Sequence, residues 1–111
     1  MSHGFVRFSD ATFVTFDVAG AETGSTQGTF AGATNLAGTT TGTYADANGG
    51  NHGFVRSPRG KITTFNVPGE GTASGQGVFS VFSINDEGAV VGWYADANGA
   101  YHGFIYQSEN D

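Results

Sequence analysis

The chain has 111 residues, a net charge of −6 from ten acidic and four basic side chains, 19 glycines and no cysteine. That length fits one domain over 1–111, and the missing thiols exclude a disulfide framework and thiolate metal sites. The acidic balance would repel a phosphate backbone, which argues against a nucleic-acid partner. No apolar run reaches the roughly 18 residues of a membrane span.

Charged residues are only 13% of the chain, while ten Phe, four Tyr and one Trp provide apolar area for a core. Leu36 is the sole leucine, and no window carries apolar residues at helical spacing. Gly and aromatic residues mixed with Thr and Val predict an all-β fold of short strands and tight turns. Met1-Ser2-His3-Gly4 lacks the basic-then-apolar pattern of a signal peptide. The expectation is therefore a protein kept inside the cell, or one whose export signal lies elsewhere.

Strands are predicted at His3–Phe8 and Phe13–Val18. Four more follow at Thr29–Asn35, Thr39–Tyr44, His52–Ser57 and Lys61–Val67, then three at Val78–Ile84, Ala89–Tyr94 and His102–Gln107. The chain repeats itself along this path. His3-Gly4-Phe5-Val6-Arg7 matches His52-Gly53-Phe54-Val55-Arg56 at an offset of 49, and Thr15-Phe16-Asp17-Val18 matches Thr64-Phe65-Asn66-Val67. Thr23, Ser25, Gln27, Gly28 and Phe30 fall on Thr72, Ser74, Gln76, Gly77 and Phe79. From Asn35 the offset is 50, so Tyr44-Ala45-Asp46-Ala47-Asn48-Gly49 returns as Tyr94-Ala95-Asp96-Ala97-Asn98-Gly99. One residue has been inserted between Phe79 and Asn85, as a β-bulge or loop difference.

Self-similarity at such a period marks a repeat architecture. Short joints such as Ser57-Pro58-Arg59-Gly60, Asn85-Asp86-Glu87-Gly88 and Asp96-Ala97-Asn98-Gly99 carry hairpin-turn residues. The longer joint from Pro68 to Gly77 would carry the chain to the next sheet. Antiparallel four-stranded repeats separated by such crossings are how propeller blades are built. On this reading 3–18 is a partial repeat, 28–67 a full blade and 77–107 a partial blade, about nine strands in all. Nine strands cannot close a ring of about four to eight blades. A homo-oligomer, dimer or trimer, is the expected way to close it. A small β-barrel or a two-sheet sandwich within one chain is the alternative.

Thr64-Phe65-Asn66-Val67-Pro68-Gly69, Ile84-Asn85, Gly88, Val90-Val91-Gly92-Trp93-Tyr94, Asp96, Gly99 and His102-Gly103-Phe104 together resemble the bacterial extracellular HAF repeat. That repeat is named for a His-Ala-Phe element whose middle residue is Gly in all three occurrences here. The first repeat departs further, with Ala19 in place of Pro68 and Thr34 in place of Ile84. The resemblance implies a propeller-like, extracellular or periplasmic repeat protein without catalytic activity.

Asp46, Asn48, Asp96 and Asn98 alternate oxygen ligands along a Gly-containing loop, the way calcium loops begin. They would hold Ca²⁺ if any cofactor is bound at all. The competing expectation is a hairpin turn whose Asp bonds its own backbone. His3, His52 and His102 open strands and are expected to brace the repeat against a neighbouring strand or the turn's Asp. Phe5, Phe54 and Phe104, with Phe16 and Phe65, Phe30 and Phe79, are expected in the inter-sheet core. Tyr44, Trp93, Tyr94 and Tyr101 form the candidate ligand surface, suited to a glycan; the alternative is that Tyr44 and Tyr94 pack in the core with their hydroxyls satisfied. No nucleophile elbow or phosphate-binding loop leads into a helix. The expected function is a non-enzymatic module that self-associates and binds a ligand such as carbohydrate. A purely structural assembly scaffold is the alternative.

Overall fold

A computed structural model describes residues 3–7, 13–18, 28–73 and 75–107. Phe8, Ala19, Thr23, Ser25, Gln27 and Ser74 lie outside these, as do the side chains of residues 13, 14 and 79–82. The described residues are all-β, in nine strands: β1 (Gly4–Arg7), β2 (Phe13–Phe16), β3 (Gly28–Thr34), β4 (Thr40–Ala45), β5 (Asn51–Arg56), β6 (Ile62–Phe65), β7 (Gly77–Ile84), β8 (Ala89–Ala95) and β9 (Tyr101–Gln107).

β1 and β2 pair antiparallel as a separate two-stranded sheet. β3, β4, β5 and β6 pair antiparallel in chain order, as do β7, β8 and β9. A single parallel pair, Asn51 with Gly77, joins the two sets into one seven-stranded sheet of mixed orientation. The sheet does not close, because β3 pairs only with β4 and β9 only with β8 among the described strands. That overturns the small closed barrel: the chain turns back on itself at each hairpin, and nothing returns from β9 to β3.

Five hairpin turns share one chemistry. Residues 35–39, 46–50, 57–61, 85–89 and 96–100 each begin with Asn, Asp or Ser and place Gly fourth. The first residue's amide donates to the fifth carbonyl, and the fourth residue's amide donates back to the first carbonyl. The fourth glycines have φ between 81° and 97°, the left-handed conformation that side chains resist. The bulges also follow the repeat. Register shifts occur at Gly32 in β3 and, 50 positions on, at Phe82 in β7. The additional shift in β7 falls at Phe79, which is the inserted residue, so Ser80 pairs as Phe30 does.

Alternation along the strands gives each sheet two faces. Phe54 and Arg56 on one face of β5 meet Phe16 of β2, edge to ring at 5.7 Å and guanidinium over ring at 5.1 Å. On the other face of that sheet Phe65 meets Phe104 at 6.0 Å and stacks on Tyr106 at 4.1 Å. The core thus lies between the β3–β6 set and the β7–β9 set of that sheet, centred on Val55, Phe65, Val78, Ile84 and Val90. Core burial fails at two predicted positions. Phe5 is 58% exposed, on the face of β1 turned away from Phe54, and Phe30 is 39% exposed on the edge strand β3. A strand buries an aromatic only where another sheet or strand lies over it.

Candidate functional site

The long joint between β6 and β7 brings the richest polar cluster together. It is held across one end of both sheets by backbone bonds: Gly71 N–H to Ala95 O, Gly75 N–H to Gly49 O and Asn51 N–H to Gln76 O. Gln76 adds its side-chain amide to Ala97 O at 3.0 Å. Both Asp-Ala-Asn-Gly turns therefore touch the joint, and the residues singled out from the sequence gather at this end.

Asp46 Oδ1 accepts from the amides of Asn48 and Gly50 at 2.9 and 3.0 Å, closing an Asx-type turn. Its Oδ2 lies 2.7 Å from His52 Nε2, while His52 Nδ1 lies 2.6 Å from Asn66 Oδ1. Glu70 Oε2 stands 3.9 Å from the same nitrogen, and Glu70 Oε1 accepts from Val67 N–H at 2.6 Å. The Glu70 side chain is only 7% exposed. Tyr44, opposite His52 on β4, lays its ring 5.0 Å from the imidazole.

The electrostatics follow from this crowding. Burial disfavours a charged His52, but its bonds to Asn66 and Asp46 and the nearby carboxylates outweigh that and hold its pKa above the ordinary value. The bond from His52 lowers Asp46 against an opposing burial cost, and the turn amides lower it further. Burial raises Glu70 against the Val67 amide and His52. Burial raises the Tyr44 phenol too, against a hydrogen bond with Thr64.

The second repeat rebuilds half of this. Asp96 Oδ1 accepts from Asn98 and Ala100 amides, and Oδ2 lies 2.9 Å from His102 Nε2. His102 lowers the Asp96 pKa, helped by the Ala100 amide. Tyr94 sits 5.1 Å from His102, tilted by the same 31° as Tyr44 on His52. His3 shows the other half, its Nδ1 2.9 Å from Asp17 Oδ1. Asp17 and Asn66 each follow their histidine by 14 residues. That constant spacing was readable in the sequence. Glu70 was not, because the first repeat has Ala21 at the matching position.

The candidate calcium positions take part in the turns. Asp46 and Asp96 have both oxygens engaged, and Asn48 and Asn98 enter the turns through their backbone amides. Among the described residues no three His, Asp or Glu side chains converge as metal ligands. The four candidate aromatics do not share a surface. Trp93 and Tyr101 meet edge to face at 4.7 Å on one side of β8–β9, with Tyr101 63% exposed. Tyr94 points to the other side, and Tyr44 belongs to the preceding sheet. At the opposite end of the sheets a cleft of about 510 Å³ runs between Asn35, Pro58, Lys61, Asp86 and Glu87. None of the candidate ligand or metal residues named from the sequence lines it.

Comparison with protein-family models, with curated proteins and with solved structures returns no match.

Proposed function

We propose that the chain is a non-enzymatic, propeller-like repeat module that associates with further copies of itself to complete a ring of four-stranded blades. The observation that carries this is the repeated way in which sheets stack. Phe16 on Phe54 and Phe65 on Phe104 are the same face-to-face relation, used twice. The stack ends with apolar residues on both outer faces: Phe5 at one end, and Val91, Tyr101 and Ile105 at the other. An outer face of the first kind meets one of the second kind inside the chain already, so the two ends of separate copies are complementary. With β7–β9 of one copy and β1–β2 of the next counted as a single split blade, two chains would supply four blades and three would supply six, within the range of about four to eight that closes. The histidines support a structural role. Each bonds an Asp or Asn of its own repeat, which braces strands and turns.

The mass of the protein in solution tests this reading. A dimer or trimer at tens of micromolar is expected, and a strict monomer at that concentration would sink it.

A second reading, glycan binding, is favoured by the Trp93–Tyr101 pair, of which Tyr101 is exposed and Trp93 half-buried, since aromatic faces beside polar turns hold sugar rings. Binding on a glycan array that disappears in Trp93→Ala and Tyr101→Ala is the expected result. An array with no signal for the native protein removes this reading and leaves the assembly scaffold.

A further inference from the structure

We propose that the free edge of β9 takes up residues 13–18 of a second copy as its fourth strand, with Phe16 opposite Gly103. This rests on the self-association reading and names the strand and socket that would carry it.

Three observations converge on β9. The first concerns its glycine. Each His-Gly-Phe strand has a glycine across which a ring from the following strand can lie. At Gly4 that ring is Phe16, with atoms 2.6–3.0 Å from where a β-carbon would sit, and at Gly53 it is Phe65, packed as closely. These are direct cross-strand pairs, Gly4 with Phe16 and Gly53 with Phe65. Gly103 occupies the same place in β9, yet the nearest atom to its β-carbon position is Gly92 O at 3.9 Å. The socket is built and open.

The second observation is the histidine. His3 and His52 direct Nδ1 at Asp17 and Asn66, the residues that follow the capping phenylalanines. His102 keeps its bond to Asp96 through Nε2, and its Nδ1 has no partner among the described residues. The third is the edge itself. β5 has β4 on one side and β6 on the other, whereas among the described strands β9 has only β8. An exposed edge strand templates the pairing of another chain.

What fills the socket must carry Phe followed by Asp or Asn. This chain holds two such segments, Thr64-Phe65-Asn66-Val67 and Thr15-Phe16-Asp17-Val18. The first is locked in the four-stranded sheet between β5 and the Phe104–Tyr106 side of the core. The second belongs to β1–β2, a two-stranded sheet of the kind that is marginal in water. β9 offers β2 the same His-Gly-Phe partner that β1 does, already backed by β8 and β7. Within one chain the β3–β6 sheet stands between them, with Phe54 against Phe16 on one face and Phe65 against Phe104 on the other. The strand therefore comes from another copy, leaves its own β1, and sets Asp17 beside His102 Nδ1.

Register makes the proposal testable by cross-linking, since the native chain has no cysteine. Phe16 opposite Gly103 puts position 14 opposite Ile105, an exposed residue, and puts Thr15 opposite Phe104 on the other face. Two purified variants, Ile105→Cys and Val14→Cys, are mixed at tens of micromolar and oxidised. A disulfide-linked pair of unlike chains is expected, with little or none when Thr15→Cys replaces Val14→Cys. Adding Gly103→Leu to the Ile105→Cys chain should lower the yield by about tenfold or more, as a side chain now fills the space a ring must occupy. Its melting temperature should not change, because that space is empty in the single chain. Association of the native protein without the 14–105 cross-link would overturn the strand exchange while leaving self-association standing. Equal cross-linking through Thr15→Cys would overturn the register and with it the proposal. A native chain that stays monomeric overturns both.

Discussion

Gly53 and Gly103 have the same neighbours in sequence and opposite surroundings in space. A methyl group at Gly53 would run into the Phe65 ring, while one at Gly103 would meet, among the described residues, only Gly92 O at 3.9 Å. Gly53→Ala is therefore expected to cost about 1–3 kcal/mol, the range for overpacking a core. Gly103→Ala should leave single-chain stability within about 0.5 kcal/mol, as surface substitutions do. Chemical denaturation of the two variants side by side, under conditions where the chain is monomeric, checks the contrast. His52 sets a pH dependence of its own. Its pKa lies above the ordinary 6.5, so its stabilising proton is fully present below 6.5 and is lost as pH rises through the folded value. Asp46 and Asp96 lie below their ordinary 3.8, so their contribution holds above 3.8 and disappears as pH falls through the folded values. Glu70 lies above its ordinary 4.5, and its ionisation subtracts from stability as pH rises through its folded value. Thermal melts should be highest on the mildly acidic side. His52→Gln should flatten the decline above 6.5 and cost about 1.5–3 kcal/mol below it, the worth of a charge-assisted hydrogen bond. These environments were half-legible in the residues. The His-to-Asp and His-to-Asn spacing repeats, whereas Glu70 occurs once and reaches His52 only because the long joint folds back.

Strands and turns were the most readable level, because each is decided by a few adjacent residues. All nine strands fall where alternating Thr, Val and aromatic residues predict them, and each of the three short joints singled out in the sequence ends with glycine at positive φ. The inserted residue was legible to within a few positions, and pairing fixes it at Phe79. What local pattern could not tell was which phenylalanines are covered. Phe5 and Phe54 share a motif, but Phe5 is 58% exposed while Phe54 is fully buried with the β1–β2 sheet against it. Turn chemistry can be separated from packing at Gly99, whose φ is 83° and whose β-carbon position meets nothing within 4 Å. Gly99→Ala should thus pay for conformation alone, about 1–2 kcal/mol. Asn85→Ala removes two acceptor contacts, from Glu87 and Ala89 amides, and should cost about 1 kcal/mol. A urea titration of each variant measures both.

At the scale of the whole molecule, the period of 49 to 50 residues disclosed the stacking unit, and the arrangement of the units needed the structure. Sequence left open whether nine strands would roll into a barrel; the pairing shows an open sheet with two dissimilar outer faces. Net charge bears on what those faces do. With −6 on each chain, copies repel one another, and screening shortens that repulsion to about 8 Å at physiological ionic strength. Association should accordingly strengthen between low and moderate salt, as sedimentation velocity would show. Weakening with added salt would mean that opposite charges, rather than apolar faces and strand pairing, hold the copies together. The dissimilarity of the two ends has a further consequence. Under the proposed strand exchange, a unit with one donor end and one acceptor end has, in a polymer chemist's sense, a functionality of two. Such units make linear chains or rings and never branch, so concentrating them raises viscosity without producing a gel. A mutation that makes both ends alike would leave no copy with a complementary end and would abolish association altogether.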